Sequence, residues 1–278
     1  MKSEKGLKTF TRAIFMNARE AVAAGQFYPA RSIELERTLE GFFSKTKIEP
    51  VSNAVICPHA GYAYSGRISA LSTSRLVKAQ TFIILSPNHT GLGTPISVSP
   101  HDLWKTPLGS VPVNRAVAME IVKNSSAEFD ELAHAGEHAV EVEIPFLQFL
   151  FRAFSIVPIT IASQETAELL ELGRTLASQE GSIAVIASGD FSHYVPKSTA
   201  ERKDHEALEL IKELKAEEFH SLVLEKNLSI CGVSPFTTLL EYCKRKGMKK
   251  GKLLEYTTSA ETTGDKSSVV GYASVIFQ

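Results

Sequence analysis

The sequence predicts an α/β protein: a single domain with a largely parallel central sheet and helices on both of its faces. Short runs rich in Val and Ile, without polar alternation, are typical of strands buried on both faces of a sheet. Longer amphipathic stretches separate these runs, and helices between buried strands favour crossover connections. No low-complexity linker divides the 278 residues, so we expect one domain.

The predicted strands follow the apolar runs in chain order. They cover residues 53–57, 81–85, 155–161, 182–187 and 268–277. The stretches between them carry the apolar spacing of amphipathic helices. The predicted helices cover residues 66–78, 114–123, 137–151, 166–179, 203–219 and 235–245. Strands and helices therefore alternate along most of the chain, as the α/β class requires.

The first residues differ from the rest of the chain. Residues 1–15 are basic and carry no clear apolar pattern. The sequence predicts an N-terminal extension here, disordered and contributing little to the core, because chain termini are usually loosely held. The α/β domain is expected over residues 16–278. Two origins of the extension stay open: a natural tail, or a stretch that precedes a translation start at Met16.

Composition and charge exclude several classes of function. Thirty Lys+Arg against thirty-one Asp+Glu give a net charge of −1, so no global field favours nucleic acid or an acidic membrane surface. No apolar run approaches the roughly 20 residues that span a bilayer. Three cysteines are too few for a disulfide framework. We expect a cytoplasmic protein in a reducing compartment, with no nucleic-acid or membrane partner.

Metal-type ligands follow three of the predicted strands. His59 follows the strand at 53–57, His89 follows the strand at 81–85, and Asp190 and His193 follow the strand at 182–187. In a parallel sheet these strand ends share one edge, where ligands bind. Imidazole suits Zn, Cu and Fe. The sequence therefore predicts a shared polar site at this edge.

Two further segments carry candidate residues with an open interpretation. His138 and Glu141 are three apart and share a helix face, either as part of the site or as a solvated first turn. Cys231 precedes a predicted helix. The helix dipole would lower its pKa and make it a thiolate ligand or nucleophile; alternatively it is a small buried side chain.

The other cysteines and histidines are assigned no chemistry. Cys57 and Cys243 are expected to be structural. The remaining histidines are predicted to lie at the surface: His101, His134, His205 and His220. No GxGxxG, GxxxxGK[ST] or HExxH motif supports a nucleotide-binding or zinc-protease function.

Several short motifs together resemble one known family. They are AGQFYP at 24–29, PHAGYAYSG at 58–66, SPNH at 86–89, TPLG at 106–109, EH at 137–138 with Glu141, SGDFSHY at 188–194 and ICG at 230–232. Their order resembles the Memo family, whose prokaryotic members are called AmmeMemoRadiSam system protein B. The likeness extends from about residue 21 to the C-terminus.

The resemblance implies a fold like that of the class III extradiol dioxygenases, which are non-haem Fe(II) enzymes. It implies His59 and His89 as metal ligands, with Cys231 as the third ligand. It also implies His193 as an acid/base residue with Asp190 beside it. Tyr62, Asn88, His138 and Glu141 are expected in the pocket around this centre.

A thiolate in place of the dioxygenase carboxylate departs from the dioxygenase pattern. Because sulfur is a softer ligand, Cu or Zn are alternatives to Fe(II). The partners implied are an unknown small molecule or peptide, and the AMMECR-type and radical SAM proteins of the same system.

Three functions stay open at this point. The first is metal-dependent redox or dioxygenase-like chemistry on a small molecule. The second is a non-catalytic module that binds a ligand or peptide in a vestigial dioxygenase pocket. The third is a Zn-assisted hydrolase in which His193 is the base.

Overall fold

The Val- and Ile-rich runs form the central strands of a mixed sheet. The computed structural model describes residues 17–278, so the predicted extension at 1–15 lies outside the described residues. The strands are β1 (Ala18–Arg19), β2 (Ala54–Cys57), β3 (Thr81–Pro87), β4 (Ile96–Val98), β5 (Leu103–Thr106), β6 (Gly109–Pro112), β7 (Glu128–Phe129), β8 (Ser155–Ile161), β9 (Ile183–Ser188), β10 (His193–Val195), β11 (Gly251–Thr258) and β12 (Val269–Phe277).

The large sheet has the strand order β10-β12-β2-β9-β3-β8-β4-β7, and β11 pairs with β12. Its central strands β2, β9, β3 and β8 are parallel. Towards the edges, β12 runs antiparallel to β2, and β4 runs antiparallel to β8. The predicted α/β class is confirmed, with a sheet that is parallel at its centre and mixed overall. A small separate sheet has the order β1-β5-β6.

Helices cover both faces of the large sheet. They are α1 (Ser32–Phe43), α2 (Tyr62–Thr73), α3 (Arg115–Lys123), α4 (Leu132–Ala135), α5 (Ile144–Leu150), α6 (Thr166–Ala177), α7 (Lys197–Lys212), α8 (Ala216–Glu225), α9 (Val233–Arg245) and α10 (Ala260–Thr263), with a 3-10 turn at Glu141–Glu143. Alternate residues of β3 face opposite ways: Ile83 and Leu85 pack with α3, α6, α7, α8 and α9, while Phe82 and Ile84 pack on the face of α5. Both faces are buried, which explains the continuous apolar runs.

The five predicted strands are confirmed to within two residues at each end. The predicted helix at 203–219 is wrong as one element, because Leu214 has a φ of 56° between α7 and α8. The predicted helix at 137–151 begins late, at Ile144. Its first residues are held out of the helix because the Glu137 carboxylate accepts the backbone N–H groups of His138 and Ala139. In the part of the chain that the structure describes, no helix combines the length and apolar character needed to cross a membrane.

Candidate metal centre

The carboxyl ends of β2, β9 and β3 lie side by side at one edge of the sheet. His59 lies just beyond β2, His89 just beyond β3 and Asp190 just beyond β9. The backbone N–H of His59 donates to Oδ1 of Asp190 at 3.0 Å, which ties two of these ends together. The rings of His59 and His89 have centroids 5.0 Å apart. The structure thus brings together the residues that the strand ends predicted to share an edge.

A third histidine joins this pair. The loop before the 3-10 turn places His138 so that its ring centroid lies 4.8 Å from that of His89 and 5.4 Å from that of His59. One potential ligand atom from each of the three side chains lies within 4.8 Å of the others, and such a group can hold a metal ion. Fe, Cu and Zn all accept imidazole ligands, so the donor set fits these ions.

Each of the three imidazoles has an oxygen next to its Nδ1 atom. Nδ1 of His59 lies 3.1 Å from Oγ of Ser188. Nδ1 of His89 lies 2.9 Å from Oε1 of Glu137, and Nδ1 of His138 lies 3.3 Å from the same oxygen. A hydrogen-bonded oxygen on one ring nitrogen, which leaves the other for the ion, is the usual arrangement of metal-binding histidines, and His59 and His89 have it.

Burial keeps two of these imidazoles neutral. Burial, followed by the neighbouring His89, His138 and His193, holds the pKa of His59 well below its usual value. Burial also lowers the pKa of His138 to about 4. A neutral imidazole is the form that binds metal, so both side chains are ready to bind an ion at neutral pH without losing a proton.

Glu137 organises two of the three histidines and was assigned no role by the sequence. Burial opposes ionisation of its carboxyl, but hydrogen bonds from His89 and from backbone N–H groups outweigh burial and lower the pKa. The backbone N–H of His89 donates to Oε2 at 2.6 Å. One buried carboxylate therefore fixes both the backbone and the ring of His89. The adjacency of Glu137 to His138 was the available sequence signal.

Asp190 and His193 lie next to the cluster. Oδ2 of Asp190 is 4.0 Å from Nε2 of His59. Burial raises the pKa of Asp190 to about 6, although His193 and the backbone N–H of His59 oppose the shift. Nδ1 of His193 lies 2.8 Å from the carbonyl oxygen of Ser229. Because a carbonyl only accepts, Nδ1 carries a proton, and in the neutral imidazole the lone pair is therefore on Nε2.

Cys231 lies beside the histidine group. Its Sγ atom is 3.3 Å from Nε2 of His59 and accepts the backbone N–H of Asp190 at 3.1 Å. Burial, followed by the charge of Asp190, raises the pKa of its thiol well above the usual value. This direction is opposite to the pKa lowering expected from the following helix, because desolvation disfavours the thiolate.

Two residues that we expected in the pocket, Tyr62 and Asn88, make their contacts elsewhere. The hydroxyl of Tyr62 donates to the carbonyl oxygen of Val142 at 2.7 Å, within an aromatic cluster. Asn88 shapes the loop that follows it, since its Oδ1 accepts the backbone N–H groups of Thr90 and Gly91. Both side chains position the elements that carry the histidines.

Glu141 anchors the segment from Arg19 to Tyr28 to the site. Its buried carboxylate pairs with Arg19 and accepts the hydroxyl of Tyr28 at 2.5 Å. Between these anchor points, the ring of Phe27 stacks on His138 with centroids 4.1 Å apart. Phe27 therefore covers one side of the histidine cluster, a role that the sequence did not reveal.

The prediction that four other histidines lie at the surface is wrong for three of them. His101, His134 and His220 are buried, whereas His205 is exposed. His134 contacts the carbonyl oxygen of Ser97 at 3.1 Å through Nε2, and burial lowers its pKa to about 4. Cys57 and Cys243 are buried in the core, as expected.

The fold and the site together define an α/β protein with a candidate metal centre at the carboxyl ends of its central strands. The chain belongs to the Memo-like protein family, whose family model matches residues 19–276. It is similar to a MEMO1 family protein from Methanosarcina barkeri, with 41% identity over 266 residues that cover 94% of this chain and 100% of the relative. A MEMO1 family protein from Aquifex aeolicus is 39% identical over 268 residues, with coverage of 94% and 100%. The predicted family is confirmed.

Among solved structures, the chain is similar to the crystal structure of the uncharacterized protein JW3007 from Escherichia coli K12. The TM-score is 0.55 and the identity is 18%, and the likeness covers 80% of this chain and 98% of that one. At this identity the likeness concerns the fold alone.

Proposed function

We propose that this protein is a metal-dependent enzyme with a mononuclear centre, which carries out redox or dioxygenase-like chemistry on a small molecule. The observation that carries the proposal is the cluster of His59, His89 and His138, whose ligand atoms lie within 4.8 Å of one another. The imidazoles of His59 and His89 also have a hydrogen-bonded oxygen next to Nδ1, as metal-binding histidines usually have.

A bound ion would supply redox or Lewis-acid chemistry. Fe(II) is the first choice for oxygen-dependent redox chemistry, Cu is the second, and Zn would supply a Lewis acid without redox chemistry. His59, His89 and His138 would hold the ion in each case.

The chain's own acid and base groups are His193 and Asp190. Nδ1–H of His193 donates to the carbonyl oxygen of Ser229, so in the neutral imidazole Nε2 carries the lone pair and can take a proton from a substrate. His193 is half-buried, which leaves its ring accessible to a ligand. Asp190 has a pKa of about 6 and can hold or release a proton near neutral pH.

Cys231 is the competing third ligand. Its Sγ atom lies 3.3 Å from Nε2 of His59, so both atoms face the same space. The raised pKa of the thiol means that an ion must displace its proton before sulfur can bind. His138, already neutral, needs no such step, which favours three histidines as the ligand set.

Metal binding to protein purified anaerobically tests the proposal. The wild type is compared with His138→Ala, Cys231→Ser and the exposed control His205→Ala, using added Fe(II) without oxygen and Zn as a redox-inert probe. We expect near-stoichiometric binding by the wild type and the control, and affinity lower by at least about tenfold in His138→Ala.

Two results would contradict this assignment. Full binding by His138→Ala together with its loss in Cys231→Ser would make sulfur the third ligand. A folded wild type that binds none of Fe, Cu or Zn would replace the enzyme with the non-catalytic binding module.

A further inference from the structure

Glu143 is a buried carboxyl group to which the proposed chemistry assigns no role. The residue is fully buried in the 3-10 turn, and its Oε2 atom has no hydrogen-bond partner among the described residues. Its neighbours in sequence differ, since Glu137 and Glu141 each accept several N–H or O–H groups. An ionised carboxylate with one partner at most would be costly at such a position.

The hydroxyl of Ser188 connects Glu143 to the histidine cluster. Oγ of Ser188 lies 2.8 Å from the carbonyl oxygen of Ala139, 2.9 Å from Oε1 of Glu143 and 3.1 Å from Nδ1 of His59. A serine hydroxyl has one proton to donate and two lone pairs that accept. Three close partners therefore require one to receive the proton and two to donate.

Only one assignment satisfies all three contacts. The carbonyl of Ala139 can only accept, so it receives the Ser188 proton. Glu143 must then donate to Ser188, which requires a protonated carboxyl group with the proton on Oε1. His59 must also donate, which puts its proton on Nδ1 and leaves a lone pair on Nε2.

The surroundings of Glu143 support the protonated form. Burial raises its pKa to about 8; the contact with Ser188 opposes this rise, and the nearby Asp190 adds to it. Two further titratable neighbours are Cys57 and Tyr62, and a charge on Glu143 would raise the pKa of each. None of these three neighbours is a cation that would stabilise an ionised Glu143.

We infer that Glu143 is a positioning residue for the metal centre: as a neutral acid that donates to Ser188, it fixes His59 in the Nδ1–H tautomer with its Nε2 lone pair available to an ion. The role of this tautomer in metal binding rests on the proposed function. The proton positions themselves belong to the metal-free protein, so they can be tested independently of metal binding.

Histidine ¹⁵N NMR of the metal-free protein at neutral pH tests the tautomer. The His59 signals are assigned by their loss in His59→Gln. We expect a protonated Nδ1 and an unprotonated Nε2 in the wild type. Glu143→Gln should keep this pattern, because an amide N–H can replace the acid O–H as donor to Ser188. A proton on Nε2 in the wild type would overturn the inference.

Infrared difference spectra provide a second test that does not depend on His59. The wild type should show the carbonyl band of a protonated carboxylic acid that is missing from Glu143→Gln, and absence of that band in the wild type would refute a neutral Glu143. Ser188→Ala removes the hydroxyl that links Glu143 to His59. We expect about 10- to 100-fold weaker Zn binding by this variant. Undiminished Zn binding by folded Ser188→Ala would show that the position of His59 does not depend on the Ser188 hydroxyl. If no protein binds metal while the tautomer and the band are observed, the proposed function fails and the assignment of protons stands.

Discussion

Replacement of Glu137 by Gln should loosen the metal centre without removing a proposed ligand. In the wild type, Oε1 accepts Nδ1–H of His89 at 2.9 Å and the backbone N–H groups of His138 and Ala139 at 2.9 Å each. Oε2 accepts the backbone N–H of His89 at 2.6 Å. Glutamine has one oxygen, and the best placement puts it at Oε1, so that its NH₂ group faces the backbone N–H of His89.

The magnitude follows from this conflict between two donors. One hydrogen bond to a charged acceptor is lost, and one donor in the partly buried loop is left unpaired. The first of these is worth about 1.5–3 kcal/mol, so we expect the free energy of unfolding to fall by about 2–3 kcal/mol. Loss of the carboxylate behind two histidines should also raise the Kd for Zn by about 10- to 100-fold.

Urea denaturation of the metal-free protein and Zn titration against a chromophoric chelator measure the two effects separately. Glu209→Gln is the matched control, because the Glu209 side chain is 63% exposed and, within residues 17–278, its carboxylate pairs only with Lys212 on the helix surface. We expect the control to bind Zn as the wild type does. A folded Glu137→Gln protein with a Kd within about twofold of wild type would refute the view that this carboxylate positions the histidines.

Two further predictions concern stability. The pKa of His134 is about 4 in the folded protein, against 6.5 for the free side chain. Between pH 6.5 and pH 4, His134 therefore binds a proton in the unfolded state but not in the folded state. The stabilisation that is present above pH 6.5 is lost as the pH falls toward 4. The loss should be about 3 kcal/mol, and urea denaturation at several pH values should show a shallower loss for His134→Gln; an equal slope would contradict the assignment. A Cβ atom at Gly173 would lie 2.7 Å from the carbonyl oxygen of Thr238, whereas one at Gly41 would meet nothing within 4 Å. Gly173→Ala should therefore destabilise the α6–α9 contact by about 1–3 kcal/mol, whereas Gly41→Ala should stabilise α1 by up to about 1 kcal/mol. Thermal denaturation should show a lower Tm for the first variant and a higher Tm for the second, and Tm shifts of the same sign would contradict the reasoning.

The central strands and the residues that follow them could be predicted because their signals are local. The runs at β2, β3 and β9 are buried on both faces, and a Pro or Gly at or just after the end of each strand turns the chain beside a His or Asp. The edge strands were less visible. The strand β11 pairs with β12 and has several half-buried residues, so it lacks a continuous apolar run.

The sequence by itself determined the α/β class, the family resemblance and the placement of His59, His89 and Asp190 at one edge of the sheet. Only the tertiary structure decided that the His138 ring lies with those of His59 and His89, in a group that could hold a metal ion, while the Cys231 thiol lies beside His59. It also decided that Glu141 anchors Arg19 and that Glu143 lies behind Ser188. The physical reason is that strand periodicity and turn chemistry depend on neighbouring residues, whereas the pKa and hydrogen-bond partners of a buried side chain depend on desolvation and on groups far away in the sequence.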